Sequence, residues 1–216
     1  MGVIGDKIAF FRNGLPAGVK LVAVSKFKPV EAIMEAYEAG QRVFAENRPL
    51  EFQDKARRLP ADIEWHFIGH LQTNKVKNVV PYAALIQSID SEHLLKAVND
   101  QAAKVGKVQD ILLEVFVASE TTKHGLSADE AVDIAARIAE YGNVRLRGVM
   151  AMATFTDDME QVRREFGNAA AIGARVAEAA GIGKPEISMG MTSDYEVAIE
   201  CGSTMVRIGT AIFGSR

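Results

Sequence analysis

Apolar residues along the chain come in short blocks that alternate with stretches of helical period. The block at 20–25, Lys-Leu-Val-Ala-Val-Ser, reads as a strand buried on both faces. Pro29 then opens a helix with Ile33, Met34, Ala36 and Tyr37 as inner positions, and Gly40 ends it. The same alternation predicts strands at 42–45, 64–68 and 83–87, with helical sequence at 49–59, 73–79 and 91–105 after them and Gly106 as a stop. A fifth and longest strand covers 108–116. A loop at 118–126 leads to a helix capped by Ser127, with Glu130 three residues on as a capping box. Strands follow at 145–150, 186–189 and 205–208, separated by helices at 158–180 and 192–200.

Eight strands that each precede helical sequence, with no linker or composition break, predict an α/β fold: a (β/α)8 TIM barrel in a single domain over 1–216, with an extra N-terminal helix. The competing architecture is a doubly wound open sheet, but no G-x-G-x-x-G follows the first strand.

Composition narrows the function classes. Hydrophobic residues make up 48% and charged residues 25%, which suits a globular chain able to bury its own core. A net charge of −3 without a Lys/Arg run argues against a nucleic-acid partner. The single cysteine, Cys201, excludes an intrachain disulfide and a multi-thiolate zinc site. Asp6 and Lys7 interrupt the apolar residues at the N-terminus, and no stretch is long enough to span a bilayer, so a cytoplasmic protein without membrane contact is expected.

In a barrel of this kind the chemistry sits at the carboxyl ends of the strands. Lys26 follows the apolar run of the first strand. An amine there is partly desolvated, which favours the neutral, nucleophilic form that a Schiff base requires; the alternative is a lysine that snorkels to solvent. Gly209 and Thr210 follow the last strand, and Met189-Gly-Met-Thr-Ser-Asp194 lies one loop earlier at another helix start. Loops after strands seven and eight are the usual barrel phosphate site. Arg207 lies within strand eight, either in a structural ion pair or facing a ring nitrogen of a bound cofactor. His66 and His70 lack the helical spacing of a metal pair, and no metal cluster is expected. Met150, Met152, Met189 and Met191 gather at strand ends, where core packing is the simpler role.

These residues carry a resemblance. Ala23-Val-Ser-Lys-Phe-Lys-Pro29 resembles the cofactor-lysine segment of the pyridoxal phosphate homeostasis proteins, single-domain relatives of the alanine racemase barrel of fold type III. Phe44-Ala-Glu-Asn47 is similar to their F-G-E-N, and Trp65 to Lys75 to their W-H-F-I-G-x-L-Q-x-N-K. Glu120 to Gly125, Arg147 to Ala153, Ser188 to Asp194 and Arg207 to Gly214 continue the match in order. The resemblance implies pyridoxal 5'-phosphate as cofactor, held by Lys26 as an internal aldimine. Arg207 would face the pyridine nitrogen, Thr192, Gly209 and Thr210 would hold the phosphate, and Asn47 would lie beside the ring. Lys123, His70 and Met191 are secondary candidates. Ala45 replaces the motif glycine, Pro49-Leu50 a more polar pair, Phe116 an asparagine and Thr192 a serine; these changes bear on the lining beyond the cofactor.

Two functions fit such a site: a binding protein that stores pyridoxal phosphate or delivers it to apo-enzymes requiring it, and an amino-acid racemase of the alanine racemase type. Racemisation by two bases needs a proton donor on each face of the substrate. In alanine racemase the second is a tyrosine from an additional domain, expected to be absent because the chain stops at Arg216. Tyr37, Tyr82 and Tyr141 fall on the far side, and Tyr195 lies beside the phosphate loops. The binding protein, a monomer or weak dimer without catalytic residues, is therefore the expectation.

Overall fold

The computed structural model describes residues 2–118 and 125–214. Eight parallel strands close into a barrel in chain order: β1 (Lys20–Val24), β2 (Val43–Glu46), β3 (Glu64–Phe67), β4 (Leu85–Ile89), β5 (Gln109–Glu114), β6 (Val144–Met150), β7 (Glu186–Ser188) and β8 (Met205–Ile208). Pairing of Lys20 with Met205 through Ala23 with Ile208 joins the last strand to the first. A helix, α1 (Val3–Gly14), precedes the barrel. The helices between and after the strands are α2 (Val30–Glu38), α3 (Pro49–Arg58), α4 (Val76–Val79), α5 (Glu92–Lys104), α6 (Ala128–Ala136), α7 (Met159–Ala180), α8 (Tyr195–Glu200) and α9 (Thr210–Phe213).

The strands are buried on both faces, which is why they read as apolar runs. Along β1, Val22 and Val24 join an inner cluster with Ala45, Leu85, Leu112, Met150 and Met205. Leu21 and Ala23 point the other way, into the larger layer shared with the helices. Three of the helices start where side chains satisfy their free N–H groups: Ser91 accepts from Leu94 at the head of α5, Ser127 and Glu130 form the expected capping box of α6, and Asp158 caps α7. Gly181 ends α7 at φ 68°, a conformation that favours glycine.

Several sequence-based boundaries are corrected. β2 runs one residue later than 42–45: Arg42 turns out to Asp62, while Glu46 enters the barrel wall against Lys55. β4 starts two residues later than 83–87, because the carbonyls of Val80 and Ala83 are taken by Lys107 in a turn. β5 is shorter than 108–116; Val115 lies beyond it, in an isolated bridge to Leu126. The segment 73–79 is a 3-10 turn (Thr73–Lys75) followed by α4. The helix expected over 192–200 begins at Tyr195, since Oδ1 of Asp194 accepts the Met191 N–H at 2.6 Å and closes a turn over Thr192 and Ser193. No helix among the described residues is long and apolar enough to cross a membrane.

Candidate functional site

The carboxyl ends of the strands surround a cavity of about 550 Å³. Its walls bring together seven of the residues singled out in the sequence: Lys26 after β1, Asn47 after β2, Met191 and Thr192 after β7, Arg207 in β8, and Gly209 and Thr210 beyond it. Val24, Ile68, Met150 and Met152 form its apolar floor and side, and Phe155, 89% exposed, stands on the rim. Gly69 lets β3 pass close to β2, because a Cβ there would collide with the Asn47 carbonyl. His70 is outside this cavity. It binds Oδ2 of Asp90 through Nδ1 at 3.0 Å and lines a neighbouring hollow with Arg48, Leu50, Gln72 and Lys75. Lys123 lies outside the described residues.

Arg207 is 4% exposed and rests on neutral acceptors rather than in an ion pair. One terminal nitrogen donates to the Ser188 carbonyl at 2.8 Å and to its Oγ at 2.7 Å, and the other to the Ala151 carbonyl at 2.9 Å. Burial lowers its pKa to about 10, against the pull of Glu114 and Asp194, so it stays a cation at neutral pH. Behind it runs a line of polar groups that the sequence reading missed. Oγ of Ser188 donates to Oε1 of Gln87 at 2.7 Å, and Nε2 of Gln87 meets Nδ1 of His66 at 2.9 Å. Burial first, then Lys20, pushes His66 down to about 3, so its ring is neutral and Nδ1 is free to accept. Glu114, buried at the end of β5, is pushed up to about 7 by burial and then by Asp90, with Arg207 opposing.

A second group of polar residues, whose meeting the sequence does not show, bonds the peptides that flank Lys26. Nζ of Lys55 bonds the Ser25 carbonyl at 2.9 Å, Oε1 of Glu46 at 2.8 Å and Oε1 of Glu51 at 2.7 Å. Only the Glu51–Lys55 spacing of four on α3 signals any of this in the sequence.

None of the four tyrosines lines the cavity. Tyr37 bonds Asp62, Tyr82 accepts from Arg57 and Tyr141 bonds Glu92. Tyr195 packs edge-on against Phe11 of α1 at 5.7 Å and bonds Glu196.

The match with known proteins covers the whole barrel. The family model for the N-terminal domain of alanine racemase matches residues 4–216. The chain is 40% identical over 198 residues to the pyridoxal phosphate homeostasis protein of Aquifex aeolicus, covering 91% of this chain and 87% of that one. It is 41% identical over 206 residues to the protein of the same name from Vibrio alginolyticus, covering 93% and 88%. The chain belongs to the pyridoxal phosphate homeostasis protein family. Its fold is also that of PipY from Synechococcus elongatus PCC7942, solved without PLP (TM-score 0.92, 34% identity) and with PLP bound (TM-score 0.90, 33% identity), each covering 98% of this chain and 100% of PipY. The expected barrel and the family resemblance are both borne out. Alanine racemase of Clostridium difficile 630 shares the fold alone, at 15% identity and a TM-score of 0.78, and this chain covers 56% of it.

Proposed function

We propose that the chain binds pyridoxal 5'-phosphate in the strand-end cavity and serves its homeostasis, holding the cofactor for storage and for delivery to apo-enzymes that require it. The reading rests on one observation: an amine on Lys26, a buried cation on Arg207 and a set of hydroxyl and N–H donors share one cavity with an apolar floor. Asn47 supports the fit, because its Oδ1 is buried in that wall without a partner, a polar group waiting for a ligand.

Bound pyridoxal phosphate supplies an aldehyde that a primary amine can capture. The chain's residues would do the rest. Lys26 offers the amine. Arg207, a donor that keeps its protons at neutral pH, would hold a pyridine nitrogen without protonating it. Thr192 and Thr210 offer hydroxyls, and the first-turn N–H groups of Thr210 and Ala211 lack intrahelical acceptors; together they suit a phosphate. We assign the same role to 1–216 as a single domain, acting in the cytoplasm as a monomer or weak dimer.

Borohydride reduction of the loaded protein followed by peptide mass analysis tests the assignment. The expected result is the cofactor's mass fixed on Lys26. Recovery on Lys28 or Lys123, or on no lysine, overturns it.

A further inference from the structure

We propose that Glu46, Glu51 and Lys55 are positioning residues that hold Lys26 aimed into the cavity by pinning the peptide on each side of it. The inference rests on the assignment of Lys26 as the capturing amine.

β1 ends at Val24, and the chain then turns through Ser25 to Lys28, with the Lys28 N–H bonding the Ser25 carbonyl at 3.0 Å. Phe27 sits in this turn at φ 64° and is the one non-glycine residue with positive φ among the described residues. A side chain as large as phenylalanine does not adopt that conformation unless its surroundings impose it. Hydrogen bonds on both sides of Lys26 impose it. The Phe27 N–H donates to Oε1 of Glu51 at 2.7 Å. The Ser25 carbonyl accepts from Lys55 at 2.9 Å, and Oγ of Ser25 donates to Oε1 of Glu46 at 2.7 Å. The Ser25 carbonyl belongs to the peptide before Lys26, and the Phe27 N–H to the peptide after it. Both peptide planes are therefore fixed by one ion cluster, and with them the direction of the Lys26 Cα–Cβ bond.

The cluster is buried and costly. Glu46 is fully buried and Lys55 is 5% exposed. Burial holds the Glu46 carboxyl above the usual range, against the pull of Lys55, and its second oxygen has no partner. Buried ion pairs are weak stabilisers, and well-packed apolar residues of like volume often serve stability as well. What apolar residues cannot do is bond a carbonyl and an N–H two residues apart. Lys28 shows the selectivity of the turn: its Nζ goes to the Gly214 carbonyl at 3.0 Å, so of the two lysines only Lys26 enters the cavity.

The test compares capture of pyridoxal phosphate, followed as the visible absorbance of the covalent form, with binding of pyridoxamine phosphate, which has no aldehyde. Glu51→Ala is expected to slow capture about tenfold or more, in line with the cost of misaligning a reacting group, with pyridoxamine phosphate affinity unchanged within about twofold. Adding Phe27→Gly to Glu51→Ala frees the turn to adopt positive φ and is expected to restore most of the rate. Two variants of the otherwise unchanged protein give an independent comparison, since both remove the Phe27 ring: Phe27→Gly should capture normally, and Phe27→Val should be as slow as Glu51→Ala. Capture and pyridoxamine phosphate affinity falling together with the melting temperature, or Phe27→Gly and Phe27→Val behaving alike, overturns the positioning role. If the unaltered protein fixes no mass on Lys26, the assignment of the amine fails instead, and the two failures are distinct.

Discussion

Glu114→Gln should stabilise the protein at alkaline pH and leave it nearly unchanged at acid pH. Burial is the main reason that the Glu114 carboxyl rises from 4.5 to about 7, with Asp90 adding to it and Arg207 subtracting. Between these values the folded chain holds a proton that the unfolded chain has released. Stability therefore falls as pH rises from about 4.5 to about 7 and stays lower above. At about 1.4 kcal/mol for each pH unit between the two values, the ionised carboxylate costs roughly 3 kcal/mol at pH 8.5. Glutamine matches the neutral acid in shape and never pays this cost. Thermal unfolding of the unliganded protein and the variant at pH 5 and pH 8.5 isolates the effect, because every other titrating group is common to both. For a chain of this size the variant should melt roughly 6–12 °C higher at pH 8.5 and within a degree or two at pH 5. An equal difference at both pH values would mean that the carboxylate is charged throughout. A variant that is less stable at pH 8.5 would mean that attraction to Arg207 outweighs burial, and would refute the reasoning.

Three other outcomes follow from the site. Ser188→Ala removes a hydroxyl that both accepts from Arg207 and donates to Gln87, leaving buried groups unsatisfied, so a loss of about 2 kcal/mol or more is expected in urea unfolding; a change under about 0.5 kcal/mol would show that the line of bonds is dispensable. Pyridoxal, without its phosphate, should bind at least about tenfold more weakly than pyridoxal phosphate if Thr192, Thr210 and the adjoining N–H groups hold the anion; equal affinities by equilibrium dialysis would remove these loops from the site. L-Alanine incubated with the loaded protein in D₂O should show no steady conversion to the D-form, and turnover that disappears in Lys26→Ala would make the protein a racemase.

The strands were legible because parallel strands covered on both faces read as apolar runs. Their ends were misread where a polar residue goes inward. The second strand was expected to stop at Ala45, yet Glu46 continues β2 and is fully buried, bonded by Lys55 from α3. At β4 the alanines at 83 and 84 extended the apolar run, but a register shift between Ile86 and Ile89 carries the strand further and brings Ser88 to the Gly69 carbonyl. Thr192 and Ser193 looked like a helix start, and a single bond from Met191 N–H to Asp194 makes them a turn. Lys26 and Arg207 were readable as charges in apolar surroundings. Gln87, Ser188 and His66 were not, since neutral polar residues inside a barrel leave no period in the sequence, and only the fold shows that they meet.

The make-up of the cavity favours holding a cofactor over turning one over. Arg207 is fixed by two carbonyls and a hydroxyl, all neutral, and no carboxylate bonds it directly. Glu114 and Asp194 pull on it from nearby, and burial raises the Glu114 carboxyl to about 7, which weakens its share of that pull below neutral pH. In the role proposed for Arg207, a donor-only cation beside a pyridine nitrogen would keep that nitrogen unprotonated and weaken the ring as an electron sink. Proton transfer on two faces also needs two groups of suitable reach. Lys26 is one, while all four tyrosines are held by partners outside the cavity wall, Tyr195 by Phe11 and Glu196. What remains is an amine, hydroxyl and N–H donors and an apolar floor in one cavity. Under the proposed function these elements would capture an aldehyde and release it by the same path, as storage and delivery require.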